Sequence, residues 1–213
     1  IAIVGLLGAS ITAQAGEPTY QGQFVQGGIV FGQTTAGDVV LLDGDAIDTI
    51  APDGRFIIGF PRDYEGPAKL TVRHADGSTE EFAYAIADRE FDIQRIDGLP
   101  PKMVTPDPDV MNRIKDDSRQ AREARTERFT ENFLENGFIW PALGPISGVY
   151  GSQRILNGEP RAPHWGVDIA VPTGTPVVAP ADGIVTLAHP DMYFSGATLF
   201  IDHGLGMVSA FLH

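Results

Sequence analysis

His164-Trp165-Gly166-Val167-Asp168-Ile169-Ala170 is the stretch on which the fold assignment turns. Its histidine and aspartate stand four residues apart, a spacing that aligns two side chains on one face of a helix or of a strand. Gly166, Val167, Ile169, Val171 and Pro172 oppose a helix, so the stretch reads as extended. Imidazole nitrogen and carboxylate oxygen are both ligands for a divalent ion such as zinc. Gly166, lacking a side chain, leaves room for an ion or substrate between them. A His–Asp hydrogen bond at a strand end satisfies the same spacing, and spacing alone leaves both readings open.

The surrounding sequence from Phe138 onward is rich in glycine and proline. Short β-branched runs lie between them: Thr175–Ala179, Gly183–Leu187, Ala197–Ile201 and Gly206–Phe211. We read residues 137–213 as an antiparallel β domain. It holds four of the five histidines, His164, His189, His203 and His213. His189, before Pro190, reads as a loop residue.

Upstream, residues 16–98 read as a small β-sandwich. Phe24-Val25, Gly28–Phe31, Val39–Leu42, Arg55–Phe60, Ala68–Val72 and Glu81–Ile86 are short apolar or alternating runs. Asp43-Gly44, Asp53-Gly54 and Asp76-Gly77 punctuate them, and Asp-Gly suits the positive φ of tight turns. No catalytic constellation stands out here, and His74, beside a turn, is expected to be solvated. Residues 99–136 read as a linker rich in proline, with Pro100, Pro101, Pro106 and Pro108, and a helix from Asp107 or Asp109 to Asn136. The helix's arginines (Arg113, Arg119, Arg122, Arg125, Arg128) read as an exposed face balanced by acidic neighbours.

A formal net charge of −13 argues against nucleic acid or an anionic membrane surface as partner. The absence of cysteine excludes thiolate catalysis, disulfides and cysteine-ligated metal. The apolar run Ile1–Ile11 followed by Ala13-Gln14-Ala15 reads as the hydrophobic part and cleavage site of a secretory signal peptide spanning 1–15. It is shorter than the roughly 20 residues of a bilayer span. We therefore expect an exported protein, periplasmic or extracellular, with no membrane span after cleavage. A buried element of the first domain is the other reading of this run.

The ordered segments from Trp140 to His213 carry more than spacing does. Trp140–Gly151 with Arg154, then His164–Ala170, Gly174–Ala179, Gly183–Val185, Ile201–Gly206 and Ala210–His213 closely resemble the catalytic domain of M23 zinc metallopeptidases, the LytM or lysostaphin-like endopeptidases. The resemblance implies an antiparallel β domain of the LytM type at the C-terminal end, which with the N-terminal sandwich-like domain and linking helix read from the residues makes a mainly β chain. It implies a zinc metalloendopeptidase that hydrolyses peptide bonds in peptidoglycan cross-links or bridges.

Within that resemblance His164 and Asp168 are two of three zinc ligands. His213 is the adjacent catalytic histidine, general base or stabiliser of the tetrahedral intermediate. Arg154 is a substrate contact and His203 is structural. The family's third ligand lies in a His-x-His motif beyond the position of His213, so the chain is expected to be a fragment of a longer peptidase, itself inactive as it stands. The alternative is an inactive LytM-type domain that binds peptidoglycan or activates a cell-wall amidase.

Overall fold

The computed structural model describes residues 17–98, 110–126 and 128–213. The signal-peptide reading of 1–15 and the Pro100–Pro108 linker lie outside the described residues. Among the described residues the chain is mainly β, in two compact units that divide between Arg89 and Glu90.

The first unit contains two sheets. One is three-stranded and antiparallel, ordered β1 (Thr19–Gly22), β2 (Ile29–Gln33) and β5 (Arg55–Gly59). The other is four-stranded, ordered β4 (Asp45–Ala46), β3 (Val39–Leu42), β6 (Ala68–Arg73) and β7 (Thr79–Tyr84). Period-2 alternation decides which side chains go inward. Along β6, Ala68, Leu70 and Val72 are buried, and their neighbours Lys69, Thr71 and Arg73 are not. They meet Val30, Phe56 and Ile58 of the other sheet, so the core lies between the two sheets, as in a sandwich. Gly32 pairs with Phe56, and a Cβ on that glycine would overlap the Phe56 ring.

His74 departs from expectation. Its Nδ1 lies 3.1 Å from Asp38 Oδ1 and its Nε2 3.9 Å from Glu80 Oε2, so it is partnered rather than solvated. Burial pushes the Asp38 carboxyl up, but hydrogen bonds from Thr34 and His74, with the His74 charge and the Thr35 N–H, together hold it below the usual value.

The second unit is built from smaller sheets. β8 (Ile93–Ile96) pairs in parallel with β10 (Gln153–Leu156), which pairs antiparallel with β11 (Glu159–Pro160). β9 (Ile146–Gly148) pairs with β12 (Asp168–Ile169). β13 (Ile184–Met192), β14 (Gly196–Asp202) and β15 (Val208–Leu212) form an antiparallel meander. His189 lies inside β13 rather than in a loop, paired with Thr198.

Two expectations fail for identifiable reasons. The helix α1 is Met111–Glu123 and stops well before Asn136. Beyond it the backbone is recruited elsewhere: the Leu205 N–H donates to the Phe129 carbonyl at 2.8 Å, and the Phe133 N–H to the His203 carbonyl at 3.1 Å. Tertiary hydrogen bonds there displace the i−4 ladder. Thr175–Ala179 is not a strand either. Pro172, Pro176 and Pro180 remove ladder donors, and what remains is an irregular pairing in which the Val178 N–H donates to Pro141 O and the Ile139 N–H to Pro180 O. Within α1's arginine set, Arg113 and Arg119 pair with Asp191 and with Asp116 and Glu123 as the balanced-face reading requires. Arg125 instead lies over the Phe200 ring at 4.1 Å.

Candidate active site

The backbone fixes His164 from both sides. Its N–H donates to Ser152 O at 2.8 Å, and its carbonyl accepts the Gly151 N–H at 2.7 Å. Four residues on, Asp168 enters β12 opposite Gly148 of β9, and the Ala170 N–H donates to Pro145 O at 2.8 Å. The two side chains are thereby brought together, His164 Nε2 standing 3.1 Å from Asp168 Oδ1.

The other ring nitrogen determines what this contact is. His164 Nδ1 lies 3.2 Å from the Val149 carbonyl oxygen. A carbonyl only accepts, so Nδ1 carries the proton and donates. In the neutral ring Nε2 is then a bare lone pair facing a carboxylate oxygen. Two acceptors at that distance repel unless a positive charge lies between them, either a second ring proton or a cation. Ligands to a tetrahedral zinc, with bonds of about 2.0–2.1 Å, stand about 3.3 Å apart. The pair therefore fits two ligands of one ion, with the Val149 carbonyl orienting the imidazole as outer-shell partners of metal-bound histidines do. No third His, Cys, Asp or Glu joins them into a metal-holding group among the described residues.

Gly148 was not singled out by the sequence. A Cβ there would overlap the Asp168 carboxylate and approach His164 Cε1 to 3.2 Å. Gly166 is more open, its would-be Cβ lying 3.9 Å from His164 Nε2. Only the β9–β12 register reveals Gly148, which is distant from the pair in sequence. Gly148→Ala should push the carboxylate aside and lower turnover about 10²-fold, the usual effect of a misplacement near 1 Å. Activity assays beside an unfolding curve would check this, and unchanged turnover would show that the close packing is immaterial.

The pair opens into a cleft of about 940 Å³ whose wall includes Arg154, Arg161, Ser147, Ser152 and Asp92. Arg154 thus shares the cleft with His164 and Asp168. His213 does not line it. It follows the last residue of β15 with its N–H between the carbonyls of Ser195 (2.9 Å) and Ala197 (3.0 Å), and it borders a separate pocket with His189 and Val177. His203 is fully buried, its Nδ1 donating to Asp182 O at 2.6 Å and its Nε2 2.8 Å from Ser209 Oγ, the structural role expected of it.

Residues 162–213 match Peptidase family M23. The matched stretch is the last quarter of the chain. It includes His164, Asp168, His203 and His213, and Arg154 lies just ahead of it. Over 71 residues the chain is 41% identical to Peptidoglycan DD-endopeptidase ShyA of Vibrio cholerae, covering 32% of this chain and 16% of that protein. Over 77 residues it is 35% identical to Lipoprotein NlpD/LppB homolog of Pseudomonas aeruginosa, covering 36% of this chain and 24% of that protein. The matches thus span a quarter or less of these relatives' own lengths.

Proposed function

We propose that the M23 segment forms part of a zinc metalloendopeptidase that cleaves peptide bonds in peptidoglycan cross-links or bridges. The observation that carries this is the pair of acceptors, His164 Nε2 and Asp168 Oδ1, held 3.1 Å apart by an imidazole whose other nitrogen is committed to Val149. These two residues would hold the ion. When bound, zinc supplies Lewis acidity that brings the pKa of a water toward neutrality and polarises a carbonyl. The Val149 carbonyl keeps the His164 proton on Nδ1 and the Nε2 lone pair free. Arg154, on the wall of the same cleft, is the proposed substrate contact. His213 is the proposed general base or intermediate stabiliser, a role in which its ring must reach the cleft from the end of β15. We assign this chemistry to a domain at 137–213, after a β domain at 16–98 and a linker with helix at 99–136. The wall substrate and the apolar run at Ile1–Ile11 support export to the periplasm or beyond.

A second reading, a LytM-type domain that binds peptidoglycan or activates an amidase without cleaving, is favoured by one observation. Among the described residues the pair lacks a third ligand, and catalytic zinc sites use three. Metal analysis and chelation separate the two. The complete gene product is expected to carry one zinc, lose peptidoglycan hydrolysis on chelation and regain it with added zinc. Metal-free protein with no hydrolysis would support the second reading. Hydrolysis indifferent to chelator would exclude zinc chemistry.

A further inference from the structure

Arg154 and Arg161 occupy an arrangement that a protein at rest does not favour. In the β10–β11 hairpin Leu156 pairs with Glu159 and Ile155 with Pro160. The same register, carried one pair further, sets Arg154 opposite Arg161, and the Arg161 N–H donates to the Arg154 carbonyl at 2.9 Å. Directly opposed residues share a sheet face, and like charges so placed are destabilising. Both arginines line the cleft of His164 and Asp168.

Among the described residues no carboxylate pairs with either arginine. The chain has 28 acidic against 15 basic residues, and Arg55, Arg113 and Arg119 each hold a carboxylate. Neither Arg154 nor Arg161 forms an ion pair or a side-chain hydrogen bond to any described residue, and Arg161 Nε is buried without a partner. Asp92 lines the same cleft but pairs with neither. A buried guanidinium N–H without an acceptor is unfavourable, and an anion seated between the two forks would satisfy it. A carboxylate fits such forks in bidentate fashion.

We propose that Arg154 and Arg161 form a carboxylate-binding pair that holds a free carboxylate of the substrate peptide beside the bond to be cut. This deepens the peptidase reading and rests on it for the word substrate. It makes the cleft selective for acidic stem peptides over amidated ones.

The test compares a peptidoglycan stem peptide bearing its free carboxylates with the same peptide amidated. Binding to the chelated complete gene product is measured by calorimetry, and hydrolysis with zinc present is followed in parallel. The free acid is expected to bind roughly tenfold tighter or better, the range of a charge-assisted hydrogen-bonded pair. Arg154→Gln and Arg161→Gln should each erode that preference, through KM rather than kcat, and Arg161→Lys should restore part of it. Equal binding of the two peptides to the unmutated protein would overturn the proposal, as would a preference that survives in the double variant. A preference without hydrolysis would keep the carboxylate pair and remove the peptidase reading. Hydrolysis of both peptides at equal kcat/KM would do the reverse.

Discussion

Asp168→Ala in the complete gene product is expected to lower peptidoglycan hydrolysis about 10³-fold and to release zinc, with little change in folding stability. Asp168 is well placed for such a clean separation. Its side chain is 62% exposed, so truncation leaves no cavity. A metal's charge stabilisation is worth several kcal/mol, and about 4 kcal/mol corresponds to about 10³-fold in rate. Losing the carboxylate also frees the His164 lone pair from the repulsion that a second ring proton or a cation must otherwise relieve. His164→Ala should match it in activity. Asp168→Asn is the sharper variant, because its amide can donate to Nε2 and keep the contact without the charge. It should preserve the fold and still lose zinc. Zinc content measured beside turnover decides the matter: full zinc and full activity in Asp168→Ala would remove this pair from the chemistry.

The second large effect belongs to the first unit. Phe56→Ala should destabilise its sandwich by about 3–5 kcal/mol, the range for deleting a buried aromatic. Phe56 is 1% exposed, packed over Gly32 in the opposing position and between the inward residues of both sheets. The paired position, Gly32, has no side chain to extend into the space. Against a domain stability of about 5–15 kcal/mol this is a major fraction. In calorimetry the transition of this unit should fall by on the order of 15 °C. Ile29→Ala on the same sheet is the control. Ile29 is 44% exposed and should move the transition by only a few degrees. A Phe56→Ala shift as small as the control's would show that the core does not depend on this ring.

The first unit was legible because its signals are local. Alternation along Ala68–Val72 and the turns at Asp43-Gly44 and Asp53-Gly54 need no knowledge of distant chain. The His164–Asp168 contact was legible for the same reason, since four residues of extended chain bring both to one face. What escaped was decided at long range. The end of α1 is set by hydrogen bonds to the 203–205 turn, which no propensity encodes. Gly148 matters only through a register formed with residues 20 positions away. Arg154 was in view from the sequence, Arg161 was not, and only the hairpin register makes them a pair. His213 shows the limit of motif reading from the other side: its place in the ordered segments is clear, yet it lines a different pocket from the cleft.

The parallel pairing of β8 with β10 bears on how this protein can be cut for study. Ile93–Ile96 enters the ladder beside Gln153–Leu156 although the whole of α1 lies between them in sequence. A fragment started at residue 137, where the peptidase domain would be drawn, strips that strand away. It leaves a row of unpaired backbone groups along β10 and opens one wall of the cleft, to which Asp92, Ile93 and Gln94 contribute. Exposed strands of that kind recruit other chains and aggregate. Fragments beginning at or before Glu90 retain the strand and are the ones expected to stay in solution.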